Sequence, residues 1–462
     1  MASMIDPGSD RAATWRRDDR HSLLFAAVTS LLFVVMIAPD GFDYGAVMAI
    51  GTGSPAEGGL ISRALWLGLL LFGVFVVGRR AALAWLLARV MNPFLLLFVA
   101  LAVASVVWSI DPTLTLRRIV RLLTIVSCCM AFVLVSWHPR RFQNVVRPLL
   151  TGVLAGSIVF GIVYPELAIH QETQPELVGA WHGLANHKNS LGALACISLI
   201  FSLHGWLAGQ VKVLPAALGI AIAAACLALS RSSTSLAAGG VATLFVLVAM
   251  RPPVSLRRYL PIGVAVLLGA VILFALAVLD LVPGLKSLIS PIVGLTGKDM
   301  TLTGRTAIWA IISEHVRLHP FLGTGYAAYW VPAPGPGMDS YAFVWHMGAF
   351  YPGSAHNGYL EVLNDLGWTG LACLIGYLLT QVRQCLQLLS VDSDQAILYL
   401  ALLFQQALSN VSETHWFGCL SVDFVLMTLA TVSIARGLLE YQLRSVFGAP
   451  EVERFGPGVV RA

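Results

Sequence analysis

Apolar runs of membrane-spanning length recur twelve times along this chain. They lie at about residues 22–38, 60–77, 92–110, 114–136, 148–164, 189–204, 213–230, 235–250, 260–281, 357–380, 395–411 and 419–436. A bilayer core takes roughly 20 such residues as a helix, because only a helix satisfies its own backbone in hydrocarbon. Of the 462 residues, 57% are hydrophobic and 11% are charged. A soluble domain cannot hide that much apolar surface, so a soluble enzyme, a disordered regulator and a fibrous protein are excluded. The expected fold is all-α, a polytopic membrane bundle of about twelve transmembrane helices. The apolar stretch 81–90 is too short to cross. The first run follows a polar start and has no small-residue cleavage site, so it reads as a span and not as a cleaved signal.

Most of the 29 lysines and arginines fall on one side if both termini are placed in the cytoplasm. That topology divides the chain into a cytoplasmic tail at 1–21, nine spans over 22–281, a long outer loop at 282–356, three spans over 357–436, and a second cytoplasmic tail at 437–462. The basic residues are scattered, so no nucleic-acid footprint is present. The seven cysteines sit in or beside apolar runs, and none lies in the long loop. No disulfide framework or zinc pattern follows.

The segment 282–356 is rich in proline, glycine and aromatic residues, a composition that suits a functional cap more than a linker. Within it, residues 304–318 predict an amphipathic helix with Ile308, Ile311, Ile312 and Val316 on one face and Thr303 as N-cap. His319-Pro320 ends that helix. Gly323-Thr324-Gly325 makes a turn, and the Pro/Gly run 332–337 is loop.

The positive charges left at the outer ends of spans are the candidates for chemistry. His356 stands at the mouth of the tenth span, and helical spacing sets Asn357, Glu361 and Asn364/Asp365 on one face below it. Carboxylates entering hydrocarbon are costly, so that face points to a wet cavity or to partners; snorkelling acids at a helix end are the plain alternative. An imidazole is the side chain suited to move a proton near neutral pH, which makes His356 a candidate for the chemistry. Arg305 opens the loop helix, where a guanidinium and a helix N-terminus together favour an anion; a solvated arginine is the alternative. Arg231 lies in Ser230-Arg231-Ser232-Ser233-Thr234-Ser235, which suits a phosphate or a simple polar turn. Arg117, Arg118 and Arg121 follow Trp108-Ser109-Ile110-Asp111-Pro112, and need anionic company from lipid headgroups, Asp111 or substrate. Asn186-His187-Lys188-Asn189 enters the sixth span, as a sugar or phosphate contact or as a helix cap. His315 and His319, four apart, are a weak metal pair without a third ligand. Several cations, an imidazole and carboxylates at one outer rim suit an anionic substrate at the outer leaflet, best a lipid pyrophosphate.

These residues resemble the O-antigen ligase and polymerase (Wzy-type) superfamily of bacterial membrane glycosyltransferases, nearest its exopolysaccharide polymerisation branch. The resemblance rests on Trp108-Ser109 with Asp111-Pro112, on Asn186-His187-Lys188-Asn189, and on Ser230-Arg231-Ser232. It rests further on Gly304-Arg305 with Trp309, on His319-Pro320 with Gly323 and Gly325, and on His356-Asn357 followed by Gly367 and Gly370. It is strongest over residues 180–375. It implies a bundle similar to the GT-C class, free of cofactor and metal, that takes a glycan from an undecaprenyl-pyrophosphate donor and passes it to a hydroxyl of a glycan or lipid acceptor. Carried over, Arg231 and Arg305 grip the diphosphate, and His356 activates or orients the acceptor hydroxyl. Arg117, Arg118, Arg121, His187, Lys188, Asn357 and Glu361 are further candidate contacts. The implied setting is the bacterial inner membrane with a periplasmic active site. The implied partners are membrane lipids and other polysaccharide assembly and export proteins. Polymerase is preferred over ligation to lipid A-core. A transporter would instead predict two related halves and mid-span charges, and an export scaffold would not account for the arginine rim with His356.

Overall fold

The computed structural model describes residues 24–33, 60–171, 177–185, 187–251, 259–278, 305–330 and 353–447. The expected N-terminal tail, the C-terminal tail beyond Phe447, most of the long loop, Thr303, Asn186 and the 332–337 run lie outside the described residues.

Among the described residues the chain is all-α, with one isolated β-bridge between Ile169 and Trp181. The helices are α1 (Leu24–Phe33), α2 (Leu60–Arg79), α3 (Ala81–Val90), α4 (Pro93–Ala104), α5 (Pro112–Val135), α6 (Arg141–Val163), α7 (Pro165–Ala168) and α8 (Lys188–Leu207). They continue as α9 (Val213–Leu229), α10 (Ser233–Met250), α11 (Leu260–Val278), α12 (Arg305–Leu318), α13 (Gly358–Leu389), α14 (Ser393–Ser409) and α15 (Val422–Phe447). A helix stands at each of the twelve apolar runs. Among the described residues, six helices are long and apolar enough to cross a membrane, or seven if α2 and α3, bent by 96° at Arg80, are one broken span. The chain is therefore a polytopic membrane protein.

Local chemistry sets the helix starts. Asn92 and Asp111 accept from the N–H groups of Phe94 and Leu114, each with a proline at the first helical position. Ser232, Asn357 and Asp392 cap α10, α13 and α14 in the same way. Three helices run beyond their apolar stretches, among them α15, which continues past 436 to Phe447 with Leu438 and Leu439 still buried. α6 starts at Arg141 and not near 148, because Phe142 and Val146 bury a face among polar neighbours. α13 continues to Leu389, because Cys385 and Leu388 carry its buried stripe past Gln381 and Arg383. α8, α14 and α15 form the enclosed centre of the bundle.

α12 covers the residues expected of the amphipathic loop helix. Ile308, Ile312 and Val316 are buried against Tyr329, Trp330, Ala355 and Leu360 as a small core over the end of α13. The following turn is pinned to α13 by its backbone. Gly323 has φ +63°, and a Cβ there would collide with the Asp365 carbonyl. α13 itself breaks at Gly367, φ +63°, where a Cβ would strike the Phe321 backbone. Both positions demand glycine. Across the break, the Pro320 carbonyl accepts from Trp368 N at 2.8 Å, and the Phe321 carbonyl accepts from Thr369 N at 3.2 Å. The Trp108-Ser109 stretch docks on the same turn: Trp108 Nε1 donates to the Leu322 carbonyl at 3.0 Å, and Ile110 N to that of Thr324 at 2.9 Å. Loops that the charge pattern assigns to one side therefore gather at one end of the bundle.

Candidate active site

His356 is fixed by what flanks it. The Ala355 N–H donates to Glu361 Oε2 at 2.6 Å, and the Ala355 carbonyl accepts from Trp309 Nε1 at 2.8 Å. Asn357 Oδ1 accepts from Tyr359 N and Leu360 N, while its Nδ2 donates to the Val411 carbonyl at 3.0 Å. Between these anchors His356 is held at φ +47°, a left-handed conformation that costs a non-glycine residue about 1–2 kcal/mol. Such strain is kept where surrounding contacts over-determine it, which is common at functional sites.

The imidazole meets a carboxylate. His356 Nδ1 lies 3.8 Å from Glu413 Oε2. Glu413 Oε1 accepts from Arg305 Nη2 at 2.8 Å and from Asn189 Nδ2 at 2.6 Å. Burial alone would push the Glu413 carboxyl up. His356, Arg305 and His415 around it more than reverse that, and hold it at about 2. One ionised carboxylate thus joins the start of α12, the start of α13 and the start of α8. The Arg305 guanidinium carries five N–H donors, so a single bond to Glu413 leaves most of the fork for an anion.

His356, Glu413 and His415 border a cavity of about 630 Å³. Arg118, His187, His356, Glu361, Asp365, Glu413 and His415 line it, together with Tyr326, Trp330 and Trp416. Glu361 Oε1 accepts from Trp330 Nε1 at 2.7 Å, and Asp365 Oδ2 accepts from Ala327 N at 2.8 Å. The polar face expected on α13 is therefore buried, and it divides: Glu361 and Asp365 line the cavity, whereas Asn357 and Asn364 do not. Aromatic faces beside carboxylates suit the apolar faces and hydroxyls of sugars, and the cations suit phosphate.

The expected residues do not all converge. Arg305 stands outside the cavity lining and is linked to it by its bond to Glu413. The arginines of α5 part company, since successive residues turn about 100° on a helix. Arg118 lines the cavity, where Nη1 donates to the Ala327 carbonyl and Nη2 to that of Trp330 at 3.4 Å. Arg121 stacks over Trp66 at 5.5 Å, and Arg117 is exposed. Asp111 caps its own helix. His187 lines the cavity and accepts from Asn189 N through Nδ1. Burial lowers it to about 4, so it is neutral at neutral pH. Lys188 enters through its backbone N–H, which donates to His170 Nε2 at 3.2 Å. Arg231 stands outside the cavity lining; it is exposed, at φ +49°, and donates to the Val178 carbonyl at 3.0 Å. His315 Nδ1 bonds Asn364 Oδ1 at 2.9 Å. Among the described residues no group of three or more His, Cys, Asp or Glu is placed to hold a metal ion.

Glu413 and His415 were not anticipated. Their signal was a carboxylate and an imidazole in the short polar break between the last two apolar runs, on the same side as His356.

Comparison with known proteins points to one family. The profile of the family described as O-antigen ligase matches residues 216–375. The exopolysaccharide production protein ExoQ of Rhizobium meliloti (strain 1021) is 30% identical over 423 residues, which is 86% of this chain and 88% of that protein.

Proposed function

The chain belongs to the O-antigen ligase and polymerase superfamily, on its exopolysaccharide branch, and from that premise we propose that it polymerises glycan repeat units carried on undecaprenyl pyrophosphate. The observation that carries the reading is the Arg305–Glu413–His356 cluster on the border of a cavity large enough for sugars. Arg305 holds the donor diphosphate and offsets the charge that grows on it as the bond to the anomeric carbon breaks. A preorganised donor of this kind is worth a few kcal/mol in the transition state. Arg231 meets the carrier at the rim, in a hydroxyl-rich turn. His356 orients the acceptor hydroxyl toward the anomeric carbon. Trp330, Glu361 and Arg118 shape the sugar side, and holding both glycans together supplies much of the remaining rate. No metal is required, because guanidinium groups neutralise the phosphates. The enzyme sits in the bacterial inner membrane, termini in the cytoplasm and cavity facing the periplasm.

ExoQ is described as an exopolysaccharide production protein, which favours polymerase. The O-antigen ligase profile keeps transfer to lipid A-core as the second reading. Purified protein incubated with lipid-pyrophosphate-linked repeat units tests the proposal. A ladder of lengthened lipid-linked glycans without added acceptor is expected; a single product that appears only with lipid A-core makes it a ligase.

A further inference from the structure

The cavity carries a second imidazole backed by a carboxylate. His415 Nδ1 lies 3.2 Å from Ser421 Oγ and 3.7 Å from Asp423 Oδ2. Its Nε2 is buried and has no hydrogen-bond partner among the described residues. His415 lines the same cavity as His356, and Asp423 does too.

The surroundings of this pair are costly. Asp423, in the first turn of α15, is buried, as are Gln405, Gln406 and Asn410 at the end of α14. Gln406 Nε2 donates to Asp423 Oδ1 and, at 2.9 Å, to Gln405 Oε1. Asn410 Nδ2 donates to the Gln406 carbonyl at 2.8 Å, and Asn410 Oδ1 accepts from both His415 N and Trp416 N at 2.8 Å. A carboxylate and three amides enclosed at the ends of two apolar helices add little stability that packed leucines would not. What the network does is aim one ring. It fixes the backbone of His415 from below and sets Ser421 and Asp423 behind Nδ1. With Nδ1–H turned toward them, Nε2 bears the lone pair.

We propose that His415 is a further catalytic residue, the base that takes the proton of the acceptor hydroxyl, with Asp423 as its positioning residue. The assignment rests on the glycosyl-transfer reading above. As the acceptor oxygen bonds to the anomeric carbon, the bond from that carbon to the phosphate oxygen breaks. Its electron pair leaves on the lipid pyrophosphate. The hydroxyl proton passes to His415 Nε2, and the imidazolium is stabilised by Asp423 until the proton is lost to water. His356, beside Glu413 and Arg305, then orients the hydroxyl against the donor.

The test is chain extension by the purified full-length protein, measured on lipid-pyrophosphate-linked repeat units. General-base loss predicts that His415→Ala lowers kcat by about 10²–10⁴-fold with KM within about threefold, and that added imidazole restores part of the rate. Asp423→Asn lowers kcat by at least about tenfold at similar KM, and Asp423→Glu recovers most of it. An H415A protein that extends as fast as wild type overturns the assignment. So does a slow one that imidazole leaves unchanged while His415→Gln, which fills the same space, is active. The two readings fail differently. Wild type that leaves the donor intact overturns glycosyl transfer and His415 together, whereas active wild type beside equally active H415A overturns His415 alone.

Discussion

Arg305 and Glu413 are 108 residues apart in sequence, yet their side chains meet at 2.8 Å, and the same carboxylate lies 3.8 Å from His356. An arginine that opens the loop helix and a histidine that precedes α13 are thus registered by a residue from a different loop. Preorganisation of this kind requires the partner to be ionised and held before substrate arrives.

Acid should dissolve that registration. The folded Glu413 carboxyl is held at about 2 against an ordinary value of 4.5, so its contribution is complete above about pH 5 and fades as pH falls toward 2. The shift corresponds to about 3 kcal/mol. Thermal melting of wild type and Glu413→Gln is expected to differ at pH 7 and to draw together below pH 5, converging only as pH nears 2. A gap that stays constant with pH would show that Glu413 is not the group being titrated. Glu413→Ala leaves Arg305 enclosed without its anion, and should cost more activity than Glu413→Gln.

His356→Ala is expected to abolish chain extension while the protein still reaches the membrane in normal amount. Arg305→Lys should lose at least about tenfold in rate, because an ammonium cannot hold Glu413 and a phosphate in one plane. Retention of full activity by either variant, in a strain without another copy, removes that residue from the machinery.

Gly367→Ala tests the break in α13. The substitution places a Cβ against Phe321 at a positive φ, so the melting temperature should fall and His356 should lose its seat. Gly240→Ala, in α10 with open space around it, is the matched control and should melt like wild type or slightly higher.

Orientation can be read by thiol labelling. All seven native cysteines are buried, so background reaction with an impermeant maleimide should be low. Glu166→Cys, at the end of the bundle that holds the cavity, should label from the periplasm, and Arg140→Cys, at the opposite end, only after the membrane is opened. The reverse pattern would place the cavity in the cytoplasm.

Much of this architecture was legible from periodicity. The apolar runs located the helices, the stripe Ile308–Ile312–Val316 located α12, and the spacing from Asn357 to Asp365 located the polar face of α13. These are local signals, and local sequence determines them. What escaped is long-range. Nothing near Glu413 announces Arg305, because their pairing depends on how α12 folds back over the bundle. The arginines of α5 read as one cluster by composition, but the helix turns Arg118 inward and Arg117 outward. Arg231 looked equivalent to Arg305 by residue type, but its turn sends it to the Val178 carbonyl, whereas Arg305 meets Glu413 on the cavity wall. The helix extensions of α6 and α13 were hidden for a simpler reason: a buried stripe flanked by polar residues has low average hydropathy.

The backbone stitching at Gly367 governs how a bulky carrier gets in. Raising the 320–325 segment would unzip the Trp368 and Thr369 bonds and unseat the broken half of α13, so that segment moves with the spanning helix or not at all. On the proposed function, a lipid-linked donor with its tail in the bilayer would then approach sideways, sliding its headgroup between helices, with the hydrocarbon never leaving the lipid.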